Sequence, residues 1–354
     1  MSNPPGIPRG IQLGVGHGRC RENTLHESLW SSRDPLDIKR FYTLNPTIGD
    51  LVRFSIQRRR APITLKKKNF ASNTELVVVV PTIDAKSGLG SNVARLFDPF
   101  PIVIVESSGP YFNYATSVNA GIREALKYNP EWIVISNDDM KLIDPPSKLR
   151  DALSTVSPHE VPFAVPGGSG HILCHSHPFV LCSPWVDFPQ RMIYTSAYSR
   201  SLARTELDQY ALLLKYRVSL RPRSYYSRPG VPQFMLWAAN AARLASSRSV
   251  NSSRVFVNPG DFTILKSSLA TQETYDDVFI NAYEDLDLSL RLFPTRNYRF
   301  IDYRIGSIGG RSLSPNWKQA RVRMYRDVLS WAYFDYKWKK KLSTFRGCGS
   351  PTPN

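Results

Sequence analysis

Two stretches of this chain concentrate carboxylates, and a third concentrates soft ligands. The first is "EWIVISNDDMKL" at 131–142, an apolar strand that stops on Asn137, Asp138 and Asp139. Ile133, Val134 and Ile135 call for burial on both faces, so the acids stand where a core strand emerges. Mg²⁺ and Mn²⁺ take one or two carboxylates plus phosphate oxygens, which a short acidic turn supplies. Asn and Asp also bond their own backbone and tolerate tight turns, so the same residues could simply reverse the chain. The second is "YEDLDLSLRLF" at 283–293, with Glu284, Asp285 and Asp287 crowding the first turn of a predicted helix. Acids there complement the helix dipole, a role that fits Asp287. The third is "HILCHSHPFVLC", holding His171, Cys174, His175, His177 and Cys182. Such a set could bind zinc. It lacks the paired C-x₂₋₄-C arms of a usual site, so core packing or pocket lining is the preferred reading.

The elements that must position these groups follow from periodicity. "ELVVVVPTI" reads as a buried strand, "PIVIVESSG" at 101–109 as a second, and "EWIVISNDD" as a third. "FNYATSVNAGIREALKYN" at 112–129 is helical, with Val118, Ile122, Ala125 and Leu126 on one face. Strand, crossover, strand, helix, strand predicts a parallel, right-handed nucleotide-binding sheet. No G-x-x-x-x-G-K-[ST] loop is present, and no G-x-G-x-x-G follows the first strand, which argues against the commonest ATP and NAD sites. The strand ends are instead acidic and polar: Thr82 and Asp84, Glu106 and Ser107, Asn137 to Asp139. Side by side they suit a nucleotide whose base and ribose bond carboxylates and whose phosphates are held through a metal.

Elsewhere, residues 1 to about 35 lack periodicity and are expected to have no fixed structure. "NPTIGDLVRFSIQRRR" is an amphipathic helix with Ile48, Leu51, Val52 and Ile56 on one stripe, expected to dock on the domain. Residues 183–255 read as an insertion of two helices, near 199–217 and 232–246, around a basic Tyr-rich loop. "VNPGDFTILKSSL" resumes strand character, and "YRIGSIGGRSL" at 303–313 is a strand with a Gly-rich turn. "WKQARVRMYRDVLSWAYFDYKWKKKL" is a basic, aromatic helix.

The chain has 354 residues, 42% of them apolar, enough for one large α/β domain with additions. No apolar run approaches a membrane span and the N-terminus lacks a secretory pattern, so a cytoplasmic location is expected. Four cysteines do not suggest a disulfide framework. The net charge of +17 favours anionic partners, and residues 317–354 carry nine Lys and Arg against two Asp. Two readings of that C-terminal helix stand level. Its aromatics pack on the domain, or Trp331, Tyr333, Trp338 and the Lys337–Lys341 cluster touch anionic lipid peripherally.

Taken in order, "VVVPTID", "IVIVESSG", "VNAGIREAL", "WIVISNDDM", "YEDLDLSLR" and "IGGRS" resemble glycosyltransferase family 2 over roughly residues 75–335. The resemblance implies a GT-A-like Rossmann-type three-layer α/β domain with a mostly parallel sheet, at 72–315. The N-terminal extension (1–71), the acceptor-side helical insertion (183–255) and the basic C-terminal helix and tail (316–354) stand outside that core. It implies inverting transfer of a hexosyl or deoxyhexosyl group from a nucleotide-sugar to a glycan or lipid-linked acceptor, assisted by Mn²⁺ or Mg²⁺. Carried over by position, Pro81, Thr82, Asp84, Glu106, Asn119, Gly121, Asn137 and Asp138 would bind the donor. Asn119 and Gly121 match an Asn-x-Gly that opens a helix beside it. Asp139 would be the metal ligand. Glu284 and Asp285 match the acidic pair whose second member is the general base. The chain departs from the pattern at Ser307, where relatives place a metal-binding His before the Gly-Gly. That departure is the one feature favouring a catalytically silent relative. A nucleic-acid binder using the basic aromatic surface is the other rival, but no RNA-binding motif is present and no nucleic-acid partner is expected.

Overall fold

Leu76 to Val80 are apolar and mostly β-branched, the composition of a strand covered on both faces. In the computed structural model they are the centre of such a strand. It describes residues 19–70, 74–166, 178–179, 205, 208–209, 211–218, 255–256, 262–272, 274–292, 297–307 and 317–342. Three helices come first: α1 (Arg19–Ser31), α2 (Pro35–Leu44) and α3 (Ile48–Gln57). An alternating region follows, with β1 (Thr64–Lys68), β2 (Leu76–Thr82), α4 (Gly88–Leu96), β3 (Ile102–Glu106), α5 (Tyr114–Leu126) and β4 (Trp132–Ser136). Then come β5 (Met140–Leu142), α6 (Pro146–Leu153), β6 (Glu160–Pro166), and the short pair β7 (Pro178–Phe179) and β8 (Val255–Phe256). The described chain closes with β9 (Phe262–Lys266), α7 (Ser267–Gln272), α8 (Glu284–Leu292), β10 (Asn297–Ser307) and α9 (Trp317–Leu342).

The main sheet runs β1-β3-β2-β4-β9. Its three central strands are parallel, as the strand-helix alternation predicts, but β1 and β9 pair antiparallel at the edges. The sheet is therefore mixed, where a mostly parallel one was expected. Strand β1, "TLKKK", escapes the apolar pattern because it lies at an edge and buries little; its lysines also guard that edge against pairing with other chains. A second sheet, β5-β10-β6, stands beside the first. The two crossovers cover opposite faces: Val93 and Phe97 of α4 pack on Val78, Val80, Ile102 and Ile104. Val118, Ile122 and Ala125 of α5 pack on Val77, Val79, Val103 and Val105.

A third core lies outside the sheet. Trp30, Ile38, Phe41, Tyr42 and Leu51 from α1–α3 pack with Leu212, Leu213, Tyr216 and Val218. Val322, Tyr325, Val328, Leu329 and Ala332 of α9 complete it. For residues 19–35 this corrects the expectation that the chain up to about residue 35 lacks fixed structure; residues 1–18 lie outside the described residues. Leu29 and Trp30 are buried because α9 supplies, from the far end of the chain, the apolar face they need. Helix α3 docks as expected, held by a Thr47–Asp50 capping box, though Ile56 faces solvent and Ser55 takes its place in the interior. Residues 211–215 are helical, in line with the first insertion helix. The second insertion helix, the Tyr-rich loop, and the His and Cys residues of 171–182 lie outside the described residues. No described helix is long and apolar enough to cross a membrane.

Candidate functional site

The carboxyl edge of the sheet opens where β2 and β4 part. The ladder between them ends at Val79↔Ile135, while β2 stays paired to β3 through Thr82↔Glu106. Val78 donates its N–H toward β3, to the Pro101 carbonyl, so Val79 and Pro81 face β4. Pro81 has no N–H to offer at the first place where that ladder could continue. The chain leaves β2 toward β3 on one side and returns to β4 on the other, which makes this gap the topological switch point where α/β sheets bind ligands.

Thr82 and Asp138 meet across the gap, the Thr82 hydroxyl donating to Asp138 Oδ2 at 2.7 Å. Asp138 and Asp139 are 3% and 4% exposed. Two adjacent carboxylates at a strand end are the donor chemistry that Mg²⁺ and Mn²⁺ take. Asn137 is half-buried beside them. Strand β5 starts at the next residue, and its Met140 pairs with Ser307 of β10. Ser307 and the acidic turn, far apart in sequence, therefore adjoin. Among the described residues no three His, Cys, Asp or Glu side chains group as a metal site. Two carboxylates fit Mg²⁺ or Mn²⁺ with waters and phosphate oxygens completing the shell.

Glu106 and Asp84 shape the neighbouring loop. Glu106 Oε2 accepts from Lys66 Nζ at 2.7 Å and from the Ala85 N–H at 3.0 Å. These bonds, led by that to Lys66, hold its carboxyl below the usual range. Asp84 Oδ1 accepts from the Lys86 N–H at 2.8 Å, an Asx turn that aims the loop into α4.

Asn119 and Gly121 do not join this edge, which corrects the expectation that they open a helix beside the donor. Helix α5 opens earlier, capped by Asn113, and both residues lie within it and face inward. Asn119 donates to the Tyr275 carbonyl at 2.7 Å and accepts from its N–H at 3.1 Å, a closed pair that pins the β9-side loop. At Gly121 a Cβ would stand 2.2 Å from Val79 Cγ1 and 2.8 Å from Val105 Cγ2. Glycine there lets α5 lie close on the sheet. Gly121→Ala is expected to cost about 1–3 kcal/mol of stability through overpacking, read by urea unfolding, with ligand affinity at the sheet edge unchanged.

The second carboxylate group sits at the start of α8, on the α5 side of the same edge. Tyr275 donates its hydroxyl to Thr263 Oγ1 at 3.1 Å, and Thr263 pairs with Ile135 near the end of β4. The charges of Asp285 and Glu284 both act on that tyrosine. Glu284 and Asp285 are 7% and 9% exposed. Burial, and then the adjacent Asp285 charge, push the Glu284 carboxyl up to about 8. Its Oε2 is sealed from solvent without a hydrogen-bond partner. Burial thus favours the protonated form of Glu284 at neutral pH. Asp285 Oδ1 accepts from the Leu286 N–H at 2.7 Å, which fixes its rotamer.

Tyr283, immediately before the pair, has φ +71°, a left-handed conformation unusual for a bulky residue. Its ring packs between Trp331 and Phe334 of α9. Asp287 is wholly buried and accepts from Trp338 Nε1 at 2.8 Å and Arg291 Nε at 2.9 Å, with Lys337 Nζ 2.6 Å away. Its role is to anchor α9, beyond the dipole role expected of it. Tyr333 and Lys337 are bound in turn by Asp276. Trp331, Tyr333 and Trp338 thus pack against the domain, the first of the two readings of this helix. Among the described side chains of that stretch, Tyr336 and Lys339 are exposed.

Sequence reasoning missed a cavity of about 310 Å³ between the ends of β2 and β3 and helices α1 and α9. Asp327 and Arg326 lie in its wall. The one signal for them is a pair of charges inside the apolar run of α9 between Tyr325 and Val328. Burial pushes the Asp327 carboxyl up to about 7, against the pull of Arg323 and Arg326. Burial likewise draws the Arg326 guanidinium down to about 10. No protein-family model matches the chain, and no curated protein sequence matches it either.

Proposed function

We propose that this chain transfers a sugar, with inversion, from a nucleoside-diphosphate donor to an acceptor hydroxyl, on a GT-A-like domain. The observation that carries the reading is the pair of buried carboxylates, Asp138 and Asp139, at the gap where β2 and β4 part. A sheet edge with that charge suits a diphosphate bridged by a divalent cation better than a bare anion. Thr82 orients Asp138 through the bond between them, leaving Asp139 as the principal ligand. Mn²⁺ or Mg²⁺ bound there would neutralise charge developing on the departing diphosphate. With Ser307 in place of a histidine beside the acidic turn, no imidazole reaches the cation from that position.

The acidic pair supplies the other half of the chemistry. Asp285, with the pair's proton held on Glu284, is the base that takes the acceptor hydroxyl proton as its oxygen attacks the anomeric carbon. The α9 aromatics that lock Tyr283 also fix where that carboxylate points. The acceptor is a glycan or lipid-linked hydroxyl, and the exposed Tyr336 and Lys339 leave a peripheral contact with anionic membrane open to α9.

The test is thermal stability against a panel of nucleoside diphosphates, with and without Mn²⁺. A ligand that binds only the folded state adds about 2.7 kcal/mol at a hundredfold excess over its dissociation constant. One diphosphate is expected to stabilise only with metal, and Asp139→Ala is expected to remove that response. Stabilisation by single-stranded RNA alone, at low salt, would replace this reading with a nucleic-acid one.

A further inference from the structure

The cavity beside α9 has the chemistry of a separate site. Arg33, Arg323 and Arg326 line it against one acidic residue, Asp327, and Ser108 adds a hydroxyl, while the Ser32 hydroxyl is taken up by Asp37 Oδ2 at 2.7 Å. Arg326 is partly committed: Nη2 donates to the Trp30 and Ser32 carbonyls, and its plane lies over the Trp30 ring at 5.4 Å. That leaves Nε sealed from solvent without a partner, and Asp327 Oδ1 in the same state. Arg323 makes no hydrogen bond or ion pair with any described residue, although its charge acts on both Glu284 and Asp327. Arg326 Nε and Asp327 Oδ1 are sealed from the cavity as well as from bulk solvent, so the groups open to a ligand are the Arg323 guanidinium and the exposed Ser108 hydroxyl. Guanidinium groups match the geometry of a phosphate or carboxylate oxygen pair.

We propose that this cavity binds a phosphate group, with Arg323 as its anchor and Ser108 bonding its oxygens or the hydroxyls beside it. The cavity adjoins the Asp138–Asp139 edge through Ile83, next to Thr82, but neither carboxylate lines it, and the rest of its wall comes from the end of α1, the loops after α1 and β3, α9 and the segment before α8. The proposal does not rest on sugar transfer and stands or falls by binding alone. A cavity near 310 Å³ accommodates a ligand the size of a sugar phosphate and little more. Asp327 tolerates the anion because its carboxyl, lifted to about 7, is protonated in a large fraction of molecules at neutral pH.

The experiment is calorimetric titration of the full chain with inorganic phosphate and glucose 1-phosphate, and with glucose as the neutral control. EDTA is present throughout, so that nothing held through a cation at Asp139 contributes. Both phosphates are expected to bind and glucose not to. Arg323→Ala is expected to weaken phosphate binding about tenfold or more. Ser108→Trp, which fills the cavity from an exposed position, is expected to abolish it. Melting curves establish that both variants fold, and Asp139→Asn is expected to bind phosphate as the parent does. Sedimentation with phosphatidic acid vesicles separates the two sources of the group. Co-sedimentation that Arg323→Ala abolishes assigns a lipid headgroup, and phosphate binding without co-sedimentation assigns a free metabolite. Phosphate binding that is absent, matched by glucose, or unchanged in both cavity variants would overturn the proposal.

Discussion

Asp285→Asn is expected to lower turnover by about 10²–10⁴-fold while leaving nucleotide-diphosphate affinity unchanged. The substitution keeps the shape of the side chain and its bond to the Leu286 N–H, so α8 stays in place. What it removes is the carboxylate that accepts a proton. Glu284→Gln should behave differently. Burial favours the protonated form of Glu284 at neutral pH, so an amide there mimics the working state and turnover should fall by less than tenfold. The same variant tests the electrostatics. Burial raises the Glu284 carboxyl from an ordinary 4.5 to about 8 in the folded protein. The folded state therefore binds that proton more tightly than the unfolded chain does. Its contribution to stability is fully present below about 4.5 and is lost as pH rises through about 8. Glu284→Gln should flatten that part of the stability profile. Urea unfolding at a series of pH values, with turnover in parallel, checks both expectations. If Glu284→Gln abolishes turnover and Asp285→Asn does not, the two roles are exchanged.

Asp287→Ala should cost about 3–5 kcal/mol, the loss found when one partner is removed from a buried ion pair. The carboxylate is wholly buried and gathers three donors from two helices: Arg291 within α8, and Lys337 and Trp338 from α9. Lys337 keeps Asp276 as a partner, at 2.6 Å, which spares one of the three donors. The Trp338 indole and the Arg291 Nε would be left facing a cavity. Because α9 also holds Tyr283 in its left-handed conformation, loosening it should displace the acidic pair and lower turnover as well as stability. Unfolding followed by tryptophan emission reads the first effect and steady-state kinetics the second. A loss under about 1 kcal/mol would mean that α9 is held by its apolar contacts alone.

The proposed site depends on two kinds of placement, and they were legible to different degrees. The strands β2, β3 and β4 declare themselves, because a run such as "LVVVV" can be satisfied only by burial on both faces. Their ends follow from the same pattern, so Thr82, Glu106 and Asp138 were found where the apolar runs stop. The start of α8 was legible too, through the acids of its first turn. The edge strand β1 was not, since four of its five residues are exposed and leave no burial pattern.

Asn119 and Gly121 show why matching positions are not matching roles. Sequence order places them after the second strand, but only docking decides which way a helical residue points. Here the sheet takes Gly121 and the Tyr275 backbone takes Asn119. Local sequence by itself determined β2, β3 and β4, the start of α8 and the acids that end or open them, because burial periodicity and capping act over a few residues. Tertiary structure alone decided that Thr82 meets Asp138, that Trp30 is covered by α9, that Asp287 anchors Trp338, and that Arg33 and Arg323 share a cavity. Those contacts join residues tens to hundreds of positions apart, and their free energy comes from burying both partners together, which neither segment's own pattern contains.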